Sequence, residues 1–460
     1  MTFESYLATL RGKQVAVIGI GVSNIPLIKL FLKKGIAVTA CDKCRREAYD
    51  NQSLLLELEA LGATLHMGAD YLDNLTQDVI FRSPGIRPDI PAFAQAKANG
   101  AVITSEMEVF FHVCPCKTIA VTGSDGKTTT TTIIAKLLEA AGYHVHLGGN
   151  IGRPLLPDIE SIQPDDLAVL ELSSFQLMTM EQSPHIAVMT NLSPNHLDYH
   201  RSMGEYIAAK ENIFLHQGEE DRAIFNYDNQ LTRDLAEKAG GAVTFFSRRE
   251  RLEEGVYLRD GAIWLTNAQG SREVLPTRDI RLPGVHNIEN YMAAIAAVDG
   301  LVPDKCVRAV AARFQGVEHR IELVRELDGV KYYNDSIGTS PSRTVACLES
   351  FPEPVILIAG GYDKGIPFHA LALEIRERVK TLVLTGDTAR AIRQAVEEAE
   401  GGRGCPEIIQ TEDLAGAVEA ARRAAGPGDV VVLSPACAAF DRFKNFMERG
   451  RAFKELVRSL

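Results

Sequence analysis

Short apolar runs that end in glycine or an acid alternate with amphipathic stretches along most of the chain, and this alternation predicts an α/β protein. Gln14-Val15-Ala16-Val17-Ile18-Gly19 reads as a buried strand. A helical pattern follows over residues 25–34, stopped by Gly35, and Ala37-Val38-Thr39-Ala40-Cys41 is a second strand closed by Asp42. The result is a βαβ unit with an acid about twenty residues beyond the glycines. A second region opens with a strand over 117–122, a glycine-rich turn and a helix over 127–141 before Gly142. Further strands are predicted at 167–173 and 186–191. Around 245–275 the pattern changes to short alternating strands, as in Val256-Tyr257-Leu258 and Ala262-Ile263-Trp264-Leu265, which predicts a small β-rich part before a helix near 287–299. A third region carries buried strands at 354–361, 381–386 and 429–434 with helical stretches between them.

Composition narrows the class. Apolar residues make up 46% of the 460 and charged residues 24%, as in globular domains, which excludes disorder and a membrane-embedded chain. Aromatic residues are 7%, so the core must be aliphatic, which suits buried parallel sheets. The 49 basic against 60 acidic residues give a net charge of −11, a surface that disfavours nucleic acid and anionic lipid. No signal-peptide pattern and no run near the roughly 18 residues of a membrane span are present, so a cytoplasmic protein with reduced thiols is expected. Cys41/Cys44 and Cys114/Cys116 lack a matched second pair, so zinc binding by the cysteines is not expected.

The turns carry the chemistry. Gly19-Ile20-Gly21-Val22-Ser23-Asn24 lies between a strand and a helix, where phosphate-binding glycines belong. Asn24 stands in place of the third glycine, so the segment reads equally as a diphosphate cradle and as a tight turn that needs small residues. Thr122-Gly123-Ser124-Asp125-Gly126-Lys127-Thr128-Thr129 has the setting of a P-loop, although Val121 occupies the first glycine position of the strict pattern. Gly123 and Gly126 free the backbone to wrap a phosphate, Lys127 supplies a point charge and Thr128 a hydroxyl for Mg²⁺. A lysine at a helix start opposes the macrodipole, and its presence there points to a nucleotide triphosphate. Glu171 and His196 follow strands of the same region, where α/β sheets bind ligands. In the third region Asn334-Asp335-Ser336, Ser434-Pro435-Ala436-Cys437-Ala438 and Gly360-Gly361 leading to Lys364 also end strands; they read as anion sites or as ordinary βα turns.

Taken in order, residues 122–129, Gly149-Asn150-Ile151-Gly152, the Glu171 strand, residues 191–196, Tyr206-Ile207-Ala208-Ala209-Lys210, His286-Asn287-Ile288-Glu289-Asn290, Glu318-His319-Arg320 and Asn334-Asp335-Ser336 resemble the ATP-dependent Mur ligase family of peptidoglycan synthesis. The resemblance covers essentially the whole chain. Residues 170–177, Arg82-Ser83-Pro84-Gly85-Ile86 and the C-terminal stretch 433–446 are similar to the family's D-glutamate-adding branch. The resemblance implies three domains: an N-terminal Rossmann-like domain over 1–105 for the UDP-substrate, a central P-loop-type ATPase domain over 106–316, and a C-terminal Rossmann-like domain over 317–460 for the amino acid.

It also implies a reaction. ATP phosphorylates the carboxylate of UDP-N-acetylmuramoyl-L-alanine, and the amine of D-glutamate attacks the acyl phosphate. Lys127, Glu171, His196 and Lys210 would be catalytic. Gly123, Ser124, Asp125, Gly126, Lys127, Thr128 and Thr129 would hold ATP with Asn287 and Asn290 at the adenine, Arg320 at the phosphates and Asp335 at the ribose. Two Mg²⁺ ions would be held by Thr128, Glu171, His196 and Lys210, the last as a carbamate, because an ammonium repels a cation. Val22, Ser23, Asp42, Ser83, Gly85, Asn150 and His196 would line the UDP-substrate site, and Thr339, Lys364, Ala439 and Phe446 the D-glutamate site. A monomer is expected.

Three positions depart from the family pattern: Asp125 where asparagine is usual, Ile337 for a lysine, and Ala439 for a serine. A relative with another amino acid or a folate-like acceptor, or a nucleotide-binding switch that ligates nothing, would share part of these motifs. Three regions ending in ligand-type turns argue for three ligands and against the switch.

Overall fold

A computed structural model of the chain describes residues 1–21, 23–49, 51–194, 199–282, 284–363 and 365–460. Val22, His196 and Lys364, named above as site residues, lie outside the described residues.

The strands are β1 Gln14–Ile18, β2 Ala37–Asp42, β3 Thr64–Met67, β4 Val79–Phe81, β5 Val102–Thr104, β6 Lys117–Thr122, β7 Val145–Gly149, β8 Leu167–Glu171, β9 Ile186–Met189, β10 Arg222–Asn226, β11 Ala242–Ser247, β12 Gly255–Arg259, β13 Ala262–Asn267, β14 Gly270–Pro276, β15 Glu322–Leu327, β16 Val330–Asn334, β17 Val355–Ala359, β18 Val379–Leu384, β19 Glu407–Gln410 and β20 Val430–Leu433. Among the described residues they form a five-stranded sheet of order β3-β2-β1-β4-β5, a nine-stranded sheet of order β14-β13-β12-β11-β10-β9-β6-β8-β7, and a six-stranded sheet of order β15-β16-β20-β17-β18-β19. These are the three α/β domains the sequence predicts.

The first sheet is parallel throughout. In the second, β7 to β12 run parallel and only the β12-β13-β14 meander is antiparallel. The β-rich part is therefore a continuation of the central sheet: β12 pairs with β11 through Phe246↔Val256 and Ser247↔Tyr257. In the third sheet only β15 is antiparallel to its neighbour. Every residue of β8 and β17, and all of β6 but Lys117, is buried, as expected where helices cover both faces of a sheet. Such strands lack the two-residue alternation of half-exposed ones and read as continuous aliphatic runs.

The chain forms two compact units, Met1–Asp279 with Ile288–Val310, and Ile280–Asn287 with Ala311–Leu460. The first contains both the N-terminal and the central sheet, because one apolar cluster runs from Val15, Val17 and Phe81 to Ala120, Leu170 and Phe214. Polar contacts add to it. Arg82 is buried and donates to Thr179 Oγ1 at 2.7 Å, Phe175 O at 3.3 Å and Ile86 O at 3.2 Å. Arg87 forms a double hydrogen bond with Glu205 at 2.7 and 3.0 Å and donates to Tyr199 O at 2.6 Å. A buried guanidinium satisfied by several acceptors fixes orientation more tightly than apolar contact alone. No described helix is long and apolar enough to cross a membrane.

Candidate functional site

β6 lies in the middle of the central sheet, between β9 and β8, so the turn that follows Thr122 emerges where three parallel strands end together. Two glycines shape it. Gly123 has φ 149° and a Cβ there would overlap Thr190 Oγ1; Gly126 has φ 79° and a Cβ would overlap Asn290 Oδ1. Both positions thus require glycine for conformation and for space. Side chains of the neighbouring strand end pin the loop. Ser124 N donates to Asn191 O and Asp125 N to Asn191 Oδ1, each at 2.9 Å. Ser124 Oγ donates to Ser193 O at 2.9 Å and lies 2.9 Å from Tyr206 Oη. The carboxylate-bearing Asp125 is exposed, so its charge stays hydrated and the departure from asparagine is accommodated without a buried anion. Thr128 and Thr129 are buried in the first turn of the helix Lys127–Ala140.

Two lysines converge on this loop. Lys127 Nζ donates to Gly123 O and Ser124 O, both at 2.9 Å. Lys210, from the helix Met203–Glu211, is 1% exposed and donates to Gly123 O at 2.8 Å and Thr122 Oγ1 at 3.0 Å. Its Nζ stands 4.9 Å from the centre of the Tyr206 ring. Burial, reinforced by the charge of Lys127 and opposed by Glu171 and Asp125, holds the Lys210 amine well below the ordinary lysine value.

Glu171 closes β8 beside this pair. Its Oε1 accepts a hydrogen bond from Asn150 Nδ2 at 2.7 Å, while Oε2 is buried with no hydrogen-bond partner among the described residues. A buried carboxylate oxygen left unpaired is costly unless a cation meets it. The Glu171 carboxylate and the Thr128 hydroxyl are each oxygen donors of the kind Mg²⁺ takes. Lys210 as an ammonium does not fit a cation site; as a carbamate it would add two oxygen donors. Asn290 packs against the P-loop, its Oδ1 accepting from Thr130 Oγ1 at 3.2 Å.

Of the residues expected at the UDP-substrate, Ser23 follows β1, Asp42 closes β2, and Ser83 and Gly85 follow β4. Both carboxylate oxygens of Asp42 accept backbone hydrogen bonds, from Ile20 N at 2.7 Å and Cys44 N at 2.8 Å, so Asp42 shapes the turn as well as bordering it. Asn24 is buried and donates to Ile18 O and Gly19 O at 3.0 and 3.1 Å. Its amide stitches the turn from within, which accounts for a side chain where a third glycine would otherwise stand. Ser83 lies against Gly19, where a Cβ would meet its own Cβ at 3.3 Å. Ser23 is exposed at the same turn, and Gly85 has open space where a Cβ would go.

In the second unit Asp335 follows β16. It is buried, accepts from Ser434 Oγ at 2.7 Å and from Ile321 N at 3.3 Å, and burial pushes its carboxyl up to about 6. The Nε of Arg320, whose charge Asp335 feels, is buried without a partner among the described residues. Asn287, also of this unit, has its amide 3.2 Å from His286 Nε2. Ala439 is buried and its carbonyl accepts from Arg442 N and Phe443 N. Phe446 opens the helix Phe446–Ser459, its carbonyl accepting from Ser336 Oγ at 2.8 Å. Thr339 N donates to Ile337 O at 2.8 Å.

The structure thus brings together residues 123–129, Asn150, Glu171, Lys210 and Asn290. It places Ser23, Asp42, Ser83 and Gly85 at the N-terminal sheet, and Asn287, Arg320, Asp335, Thr339, Ala439 and Phe446 in the second unit. Sequence reasoning missed Arg449. Its Nε donates to Ser336 Oγ at 3.1 Å, Nη1 to Ala438 O at 3.1 Å, and Nη2 to Ser336 O and Cys437 O at 3.0 Å. One buried guanidinium therefore clamps both strand-end loops of this unit. The signal was an arginine on the apolar side of an amphipathic helix, which looks like an ordinary surface charge in a linear sequence.

Comparison with known proteins agrees over the whole length. The family model described as Mur ligase middle domain matches residues 121–298, the Mur ligase glutamate ligase domain matches 319–437, and the MurD-like N-terminal domain matches 13–105. The UDP-N-acetylmuramoylalanine–D-glutamate ligase of Acetivibrio thermocellus is 52% identical over 456 residues, 98% of this chain and 97% of that protein. The enzyme of the same name from Ruminiclostridium cellulolyticum is 49% identical, with 99% of each chain covered. The crystal structure of the UDP-N-acetylmuramate-alanine ligase of Thermotoga maritima shares the fold, with a TM-score of 0.60 at 20% identity, covering 97% of this chain and 99% of that one.

Proposed function

This chain belongs to the Mur ligase family and is an ATP-dependent ligase that adds D-glutamate to UDP-N-acetylmuramoyl-L-alanine in peptidoglycan synthesis, and we propose that the groups gathered at the ends of β6 and β8 carry the phosphoryl-transfer half of that reaction. The observation that carries the assignment of roles is the buried, half-satisfied Glu171 carboxylate beside the Gly123–Lys127 loop and Lys210.

A carboxylate is a poor electrophile, and phosphorylation gives it a leaving group. Negative charge on the transferred phosphoryl group must be neutralised, so positioning and electrostatics dominate catalysis. Lys127, which here caps two loop carbonyls, would exchange them for the β/γ-phosphate oxygens. The backbone N–H groups of residues 123–129 would line the phosphates, with Asn290 and Asn287 toward the adenine, Arg320 on the phosphates and Asp335 on the ribose. Thr128 and Glu171 would hold one Mg²⁺; Glu171, His196 and a carbamylated Lys210 would hold a second. Bound Mg²⁺ would screen the phosphate charge. Asn150 would orient Glu171 and approach the UDP-substrate with His196. Val22, Ser23, Asp42, Ser83 and Gly85 would bind its uridine diphosphate, and Thr339, Lys364, Ala439 and Phe446 would bind D-glutamate. Domain limits of 1–105, 106–316 and 317–460, a monomeric state, two Mg²⁺ and a cytoplasmic location belong to the same proposal.

The test is phosphate release with ATP, Mg²⁺ and UDP-N-acetylmuramoyl-L-alanine across D-glutamate, L-glutamate, L-alanine, L-lysine and diaminopimelate, with mass spectrometry of the product. Release with D-glutamate and a product heavier by one glutamyl residue is expected. Release with a different amino acid would overturn the acceptor assignment, and ATP hydrolysis indifferent to all of them would overturn the ligase.

A further inference from the structure

The central sheet has a second cluster of ligand-type side chains, at the opposite end from the P-loop. His144 and His146 flank the first residue of β7, so the two-residue period of a strand sets both on one face. Asp166 immediately precedes β8, which pairs with β7 through Val145↔Leu167, so the register places Asp166 next to His144. His144 Nδ1 is 3.1 Å from Asp166 Oδ1 and His146 Nε2 is 2.7 Å from Asp166 Oδ2. The two imidazole centroids are 4.7 Å apart. Among the described residues, this is the one group of three such side chains whose ligand atoms all lie within 4.8 Å of one another.

The three groups are held as a metal site would need. His146 and Asp166 are buried, and Asp166 is oriented from behind by Gln163 N, which donates to Oδ2 at 2.9 Å. That is the outer-shell support that ligating carboxylates generally have. The His144 side chain is 71% exposed, which leaves an open approach from solvent and room for water in a fourth position. His144 Nδ1 and His146 Nε2 face different oxygens of one carboxylate, and a cation seated among the three would take the place of these two hydrogen bonds.

We propose that His144, His146 and Asp166 form a binding site for a divalent transition metal of the Zn²⁺ class, which staples the edge strand β7 to β8. Two imidazoles and one carboxylate select such a metal over Mg²⁺, which prefers oxygen donors. The site is separate from the proposed catalytic one. Asp166 and Glu171 stand at opposite ends of β8, about 16 Å apart at about 3.3 Å per residue. Two thiols are a competing ligand set: Cys114 and Cys116 have their sulfurs 3.6 Å apart, and Cys116 feels the charge of Asp166.

The experiment is a Co²⁺ titration of the full-length, chelator-treated protein in excess Mg²⁺, read by visible absorption, with Zn²⁺ as competitor. Wild type is expected to give ligand-field bands that saturate at one Co²⁺ per chain and are displaced by Zn²⁺. His144→Gln, an exposed substitution that leaves the fold intact, should weaken Co²⁺ binding at least about tenfold and leave the Mg²⁺-supported ligase rate unchanged. Zn²⁺ should raise the Tm of wild type and not that of His144→Gln. Identical titrations for wild type and variant would overturn the site. So would a thiolate-to-metal charge-transfer band, which would place the ion on the cysteines.

Discussion

Asn150 Nδ2 donates to Glu171 Oε1 at 2.7 Å, and the other oxygen of the same carboxylate is buried with no partner among the described residues. One half of the carboxylate is fixed in direction by a neutral amide, and the other half is the one proposed to meet Mg²⁺. Glu171→Gln should cut phosphate release by about 100-fold or more, the loss typical of a preorganised electrostatic group. It should also leave the Mg²⁺-free protein at least as stable as wild type, because the buried charge on the unpartnered oxygen is removed. Steady-state kinetics against Mg²⁺ concentration and thermal melts in chelator read the two effects; a Tm well below wild type would contradict the second.

Lys210→Ala should abolish nearly all activity, and short-chain carboxylates should restore part of it by supplying the anion that a carbamate would provide. Lys210→Arg puts a fixed cation there and supplies no oxygens, so it should be inactive and refractory to rescue. Near-normal turnover of Lys210→Ala without added carboxylate would remove the carbamate from the mechanism.

Glu106, at the start of the helix Glu106–Val113, is a buried acid away from the proposed site. It accepts from Leu156 N at 2.8 Å, and burial pushes its carboxyl from 4.5 up to about 7. The folded state therefore binds more protons than the unfolded state between these values. Its contribution is full below pH 4.5 and is lost as pH rises through about 7. Glu106→Gln should flatten this dependence and stabilise the protein above pH 7, by up to about 3 kcal/mol at 1.36 kcal/mol per pKa unit. Urea unfolding of both proteins across pH 5 to about 8 measures it; parallel curves would contradict the assignment.

Arg449 donates to four oxygens on two loops, and lysine cannot reproduce a planar fork. Arg449→Lys should lose about 2–4 kcal/mol of stability, as broken buried polar networks do. Its KM for D-glutamate should rise more than its KM for ATP, since Ser336 and Ala438 adjoin the residues proposed for the amino acid. Equal changes in both would assign Arg449 to stability alone.

Much of this was legible in the sequence, for reasons that differ by element. β6, β8 and β17 were readable as strands because buried parallel strands are uninterrupted aliphatic runs, and the P-loop because its glycines and its lysine sit where a helix start makes them unusual. The β-rich segment was visible as strands, but its membership of the central sheet was not. That depends on Phe246 pairing with Val256, a contact no local pattern encodes. Asn24 was read as a missing glycine, whereas its buried amide fills the turn. Arg449 and the His144–Asp166 pair were invisible for a common reason: each depends on partners that come together only when separate strands align.

Asp125 has a consequence for kinetics. ATP, the UDP-substrate and D-glutamate are all anions, the chain carries a net charge of −11, and the P-loop displays an exposed acid at its rim. The long-range field therefore slows the approach of every substrate, while the positive charge that captures phosphate acts only at close range. Added salt shrinks the repulsion, with a Debye length of about 8 Å at physiological ionic strength, before it weakens contacts made at the loop itself. Encounter should thus quicken with ionic strength, the reverse of electrostatic steering, so such a loop should meet its nucleotide faster in salt than in dilute buffer.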